Sequence, residues 1–119
     1  MTEGFFRIAF TGATGSGLGI FVLHNGSVVG ADTGGAIYEG SYRENGDAQT
    51  LEFVITMSMP AGVTPVQTGI PLATPVSVPI SASFLQDEIG SGKPTLVQTP
   101  LGGVNVLFTK IRDFPNNSV

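Results

Sequence analysis

The sequence predicts an all-β fold, a small antiparallel up-and-down β-barrel of about eight strands with little or no helix, and three observations predict it. Apolar residues return again and again to a spacing of two. The segments that carry this alternation are short and separated by glycine, proline and Asn/Asp turn signals. Between them no stretch shows the 3.6-residue spacing of a helix that could cross from one strand to a parallel neighbour. Short strands in sequence favour hairpin neighbours, and closing the sheet into a barrel removes the edges that would otherwise pair with another chain.

The first strand is expected over Gly4 to Phe10, with Phe6, Ile8 and Phe10 on one face and Phe5, Arg7 and Ala9 on the other. Gly12, Gly15 and Gly17 then supply a turn. Two apolar runs, Leu18 to Leu23 and Val28 to Ala31, flank Asn25-Gly26, a pair that tolerates positive φ twice in succession and so closes a type I′ hairpin. A fourth strand runs from Ala36 to Arg43, with Tyr38, Gly40 and Tyr42 sharing a face, and Asn45-Gly46 reads as a second hairpin turn. In the fifth, Thr50 to Met57, the residues Leu51, Phe53, Ile55 and Met57 alternate with Glu52, Val54 and Thr56, so one face is core and the other wetter. Pro60, Pro65, Pro71 and Pro75 lack the N–H that a central strand must donate, which makes Ser58 to Pro75 an irregular excursion. The sixth strand, Val76 to Leu85, alternates most cleanly, and its Pro79 places it at an edge or a bulge. A polar tip with Gln86-Asp87-Glu88 and Gly90-Ser91-Gly92 follows. Strands seven and eight, Thr95 to Thr99 and Val104 to Ile111, surround a Pro100 to Gly103 turn.

A chain of 119 residues is expected to form one domain, residues 1–119, large enough to bury a core without staples. Only 12% of residues are charged, about half the usual ~25%, so Ser, Thr, Asn, Gln and Gly carry most of the polar surface. There is no cysteine, hence no disulfide and no thiolate metal site. The five basic residues are scattered and the net charge is -4, which argues against direct nucleic-acid binding, where clustered cations displace counterions from phosphates. The same scarcity argues against an anionic membrane surface. No apolar run approaches the ~18 to 20 residues of a membrane-crossing helix. MTEGFFRIAF has neither the basic start nor the long apolar core of a secretory signal, and a cytoplasmic location is the expectation.

Gly4-Phe5 opening an apolar strand that ends at Phe10, Gly17-x-Gly19-Ile20 with Leu23, the turn Asn25-Gly26, Gly30-x-Asp32 and Tyr38-x-Gly40 follow one another over about the first 42 residues. This pattern resembles the GrlR family, small negative regulators of type III secretion gene expression in enteric pathogens, and their uncharacterised relatives. The resemblance implies a lipocalin-like barrel, a homodimer, and regulation by sequestering a transcriptional activator through protein contact. It also implies a partner-binding role for acidic residues after the Tyr-x-Gly strand. Here Arg43-Glu44-Asn45-Gly46-Asp47 keeps only Glu44 and Asp47 of that run.

Chemistry at single positions points away from catalysis, and no catalytic, cofactor or metal residue is assigned. Ile8 to Gly19 imitates the glycine loop of a dinucleotide fold, but the helix that would receive the pyrophosphate is missing. His24 is the only histidine and is expected at a solvent-facing strand end, without the partner group a catalytic base or metal site needs. Asp32 is expected to accept backbone N–H groups in its own turn. Asp87-Glu88 and Glu44/Asp47 fall at loop tips, where carboxylates stay solvated. The Asn116-Asn117-Ser118 sequon matters only for a secreted chain. Two roles remain: a non-enzymatic module that occupies a protein partner, and a carrier of a small apolar ligand with Phe6, Phe10, Phe53, Ile80 and Phe84 lining the barrel.

Overall fold

The computed structural model describes residues 3–90 and 92–115; Ser91 of the polar tip and the Asn116-Asn117-Ser118 sequon lie outside them. Eight antiparallel strands form one sheet: β1 (Gly4–Thr11), β2 (Ser16–His24), β3 (Ser27–Asp32), β4 (Ile37–Asn45), β5 (Thr50–Met59), β6 (Val76–Leu85), β7 (Thr95–Thr99) and β8 (Gly102–Arg112). The order across the sheet is β6-β5-β4-β3-β2-β1-β8-β7. Every sheet neighbour is also a neighbour in sequence except one: β1 pairs with β8, from Phe5↔Arg112 to Thr11↔Asn105, with a bulge between Phe5 and Phe6. That long-range pairing curls the sheet into a nearly closed barrel. The one seam lies between β6 and β7, the two ends of the strand order. Pro79 sits on β6 opposite Thr56 of β5, so its missing N–H coincides with an edge, as its sequence required.

Alternation decides which side chains enter the barrel. Phe6 and Ile8 of β1, Leu51, Phe53, Ile55, Met57 and Met59 of β5, and Val78, Ile80 and Phe84 of β6 are all buried. One barrel end is packed solid by Phe6, Leu23, Val28 and Leu51, none more than 2% exposed. Above them Phe108 stands at the centre of an aromatic group, with Phe6, Phe21, Phe53 and Phe84 at centroid distances of 6.0, 6.0, 5.8 and 5.0 Å. Three of these four pairs are edge-to-face, the arrangement the ring quadrupole favours.

The connections follow the sequence, with boundaries that shift by one or two residues. Asn25 and Gly26 both take positive φ, 51° and 79°, in a tight turn after His24↔Ser27, as a type I′ turn demands. The β4–β5 hairpin expected at Asn45-Gly46 is present and has a four-residue loop. Asn45 pairs with Thr50, residues 46–49 form the loop, and the left-handed residue is Gln49 at φ 55°. Asn45 caps that loop from within, its side-chain oxygen accepting the Ala48 N–H at 3.2 Å. The excursion begins at Pro60, because Ser58 and Met59 still pair with Ser77 and Val76. A single turn of 3-10 helix, Gln86–Glu88, is the one helical element among the described residues.

The division between filled interior and wet exterior gives a direct test. Leu51→Ala, at a position with no exposed surface, is expected to cost about 2–5 kcal/mol in urea unfolding. Val54→Thr, on the outer face and 63% exposed, should change stability by less than about 0.5 kcal/mol.

Candidate functional site

The barrel end opposite the packed one carries the residue 12–15 turn, the residue 33–36 turn, residues 60–75 and the Pro100-Leu101 turn. Gly17, Gly34 and Ala36 near this end, and Ala82 opposite Phe53 deeper in the barrel, carry little or no side chain, and a cavity of about 230 Å³ remains. Its walls and floor are apolar, with Phe10, Phe21, Phe53, Phe84 and Phe108 among the lining side chains. Met57 and Met59 line it too; their unbranched thioether chains adapt to irregular shapes. Gly17 lies directly opposite Phe10. A Cβ there would fall within 2.5 Å of the Phe10 ring, so glycine is what lets that ring lie along the rim.

Residues 60–75 form a strap over this mouth. The strap is folded on itself by Gly62 N–H to Leu72 O (2.8 Å) and Leu72 N–H to Val63 O (2.9 Å), with a turn in which Gly69 N–H reaches Pro65 O at 2.9 Å. Val63, Val66 and Leu72 pack onto the core, and Pro65 is buried. Two anchors tie it down. Thr14 donates both its N–H (2.9 Å) and its hydroxyl (2.8 Å) to Val66 O, and Gln67 Nε2 donates to Thr99 Oγ1 at 3.3 Å. The glycine-rich 12–15 segment is thus a hairpin turn, closed by Gly12 N–H to Gly15 O at 2.8 Å, and a docking point for the strap.

The polar contribution to the cavity centres on Asp32. Its position on β3 shares the inward face of Val28 and Gly30, and its Oδ1 accepts Gly34 N–H (2.9 Å) and Ala36 N–H (3.1 Å). These bonds close the β3–β4 turn. Oδ2 accepts the hydroxyl of Tyr38 at 2.7 Å, and both residues line the cavity. Burial first, and then the hydrogen bond to Asp32 and its negative charge, hold the Tyr38 phenol far above its ordinary pKa. The phenol therefore stays a neutral donor. This chemistry orients a carboxylate; it does not assemble a nucleophile with an oriented base.

Of the residues expected to line the barrel, Phe10, Phe53, Ile80 and Phe84 border the cavity. Phe6 does not: it is 2% exposed in the packed end, edge-on to Phe108, whose ring is the one that meets the cavity. Phe21, Tyr38 and Phe108 are lining residues that the sequence reading passed over, although the alternation Val104, Val106, Phe108 carried the signal for the last. Glu44 and Asp47 are both exposed, on β4 and the 46–49 loop, at the barrel end far from the mouth. Nearby Glu52 is engaged by Arg43, at 2.9 Å from Nε and 2.7 Å from Nη2, which together with Asn45 lowers its pKa. His24 ends β2 with its side chain 42% exposed, the solvent-facing strand end expected, and it has neighbours there. Its ring stacks on Phe114 at 3.8 Å, and its Nδ1 lies 3.5 Å from Glu3 Oε2, the oxygen that also accepts Asn25 N–H. Among the described residues no three His, Asp or Glu side chains are grouped to hold a metal ion.

Removing Asp32 is expected to disturb the turn and the wall together. Asp32→Ala should cost about 1–3 kcal/mol, since two backbone donors and a buried hydroxyl lose their acceptor, and Tyr38→Phe about 1 kcal/mol. Because the Tyr38 pKa is raised on folding, its contribution is complete below the free-tyrosine value of about 10 and is lost as pH rises past it. Denaturation midpoints measured on the alkaline side should therefore fall in the wild type and fall less in Tyr38→Phe.

Compared with family models, curated proteins and solved structures, this chain matches none.

Proposed function

We propose that this protein is a non-enzymatic binding protein whose barrel carries one small apolar ligand. The observation behind this reading is the cavity of about 230 Å³ between the Phe108 group and the strap. A cavity of ~150 Å³ lined by Leu, Ile and Phe takes up benzene, so this one has room for a molecule of roughly ten non-hydrogen atoms. The strap supplies what a carrier needs at its mouth, a cover held by a few exchangeable hydrogen bonds and lined by Val63 and Val66. Butylbenzene is expected to shift the methyl NMR signals of Ile8, Ile55, Met57 and Val66 in a saturable way. Ala82→Leu, which fills the void from β6, should weaken that binding by at least about tenfold, or ~1.4 kcal/mol. An absence of saturable shifts in the wild type would remove the carrier reading.

A second reading, protein-partner regulation of the GrlR type, draws on the outer surface. Glu44 and Asp47 are free of the core and exposed. Across β8, β1 and β2 the outward residues Leu107, Ala9 and Leu18 are neighbours, and across β2, β3 and β4 so are Ile20, Ala31 and Ile37. Leu18, Ile20, Val29 and Ile37 are 41–55% exposed, a concentration of apolar surface that suits a homodimer contact. In this reading a cytoplasmic dimer sequesters a transcriptional activator without touching DNA. Among the described residues no helix is long and apolar enough to cross a membrane. Native mass spectrometry is expected to show a dimer that Ile20→Glu converts to a folded monomer; a wild-type monomer would count against the homodimer.

A further inference from the structure

The cavity wall has an electrostatic asymmetry. Among the described residues that line it, Asp32 is the one with a formal charge, and none is lysine, arginine or histidine. The ion pairs His24–Glu3, Arg43–Glu52 and Lys110–Asp113 do not involve Asp32. Its partners are neutral donors: two backbone N–H groups on Oδ1 and one phenol on Oδ2. An ionised carboxyl group offers about four acceptor positions. Three are filled, so one remains, along with an uncompensated negative charge beside an apolar cavity. Beyond it stand the rings of Phe10, Phe21 and Phe53, whose faces attract cations and repel anions.

We propose that the ligand is a small apolar amine, bound as its ammonium ion with the head on Asp32 and the hydrocarbon body among the phenylalanines. The assignment rests on the carrier reading and names the ligand class for it. Size follows from the cavity volume, on the order of ten non-hydrogen atoms. Charge follows from Asp32: an ammonium group takes the free acceptor position as a charge-assisted hydrogen bond and supplies the missing positive charge. A neutral alcohol can donate to the same oxygen without the charge. A carboxylic acid of the same length, ionised at neutral pH, brings a second negative charge to Asp32 and finds no cation in the wall.

The test is a titration of the intact protein, followed by methyl NMR and calorimetry, with phenylbutylamine, phenylbutanol and phenylbutanoate. These three differ only at the head group. The amine is expected to bind at least about tenfold tighter than the alcohol, the worth of one charged hydrogen bond, and the acid to show no saturable binding. Asp32→Asn keeps an acceptor oxygen for the turn but loses the charge, and should bring the amine down to the alcohol's affinity. Tyr38→Phe keeps the carboxylate and should retain the amine preference. Equal binding of amine and alcohol by the wild type would overturn the assignment while leaving the carrier reading intact, and this comparison needs no variant to fold. An amine preference that survives Asp32→Asn would overturn it as well. Failure of all three compounds, the alcohol included, would overturn the amine and the carrier together.

Discussion

The contact of Phe108 with four other phenylalanines is the constraint on which the rest of the barrel depends. Those partners come from β1, β2, β5 and β6, so a single side chain of β8 touches strands from around the ring. An eight-stranded barrel has an interior just wide enough to be filled by side chains or to hold one small molecule. The hub divides those two outcomes along the axis. Below it, Phe6, Leu23, Val28 and Leu51 fill the space; above it, glycine and alanine leave room. One ring cluster therefore supplies both the stability of the closed end and the floor of the cavity.

The open end is organised by polar groups that the apolar core cannot provide. The Asp32 carboxylate ties the β3–β4 turn to the wall through Tyr38, and Thr14 ties the β1–β2 turn to the strap through Val66 O. The first joins a turn to the neighbouring strand six residues on, the second to a segment 52 residues away in sequence. Neither buries an unpaired charge deep in the core: the charged residue sits at the rim, partly exposed. Four prolines in the strap fix φ at their positions, which lowers the entropy lost when a long irregular segment settles on one surface.

Most of the strand framework was legible because period two is a local property. Val76–Leu85 and Thr95–Thr99 could be bounded directly from alternation and flanking turns, and Asn25-Gly26 fixed its hairpin by backbone conformation alone. Asn45-Gly46 marked a hairpin but not its loop length, because the same dipeptide can also open a longer loop; Asn45 pairs with Thr50, and its side chain meets both the Ala48 N–H and Glu52. Asp32 as a turn acceptor was readable, since its backbone partners lie within four residues. Its Tyr38 partner was not, because that bond is a diagonal contact between strands, with Tyr38 paired to Gly30 two residues before Asp32. Phe6 shows the same limit. Alternation says that a residue points inward, but the depth at which the interior changes from filled to hollow is set by side-chain volumes from all eight strands at once.

The pairing of β1 with β8 also orders events in time. During synthesis β1 emerges first, and β2 can join it through a local turn, but its other edge has no partner until residues 105–112 are made. Until then the amides of one flank and the apolar side of Phe6 and Ile8 are open to any passing strand, the state in which β proteins associate wrongly. Sheet closure is the step with the greatest sequence separation and hence the greatest loop-closure entropy. Folding speed, and the fraction of chains lost to aggregation, are for that reason governed by the last strand rather than by any of the hairpins.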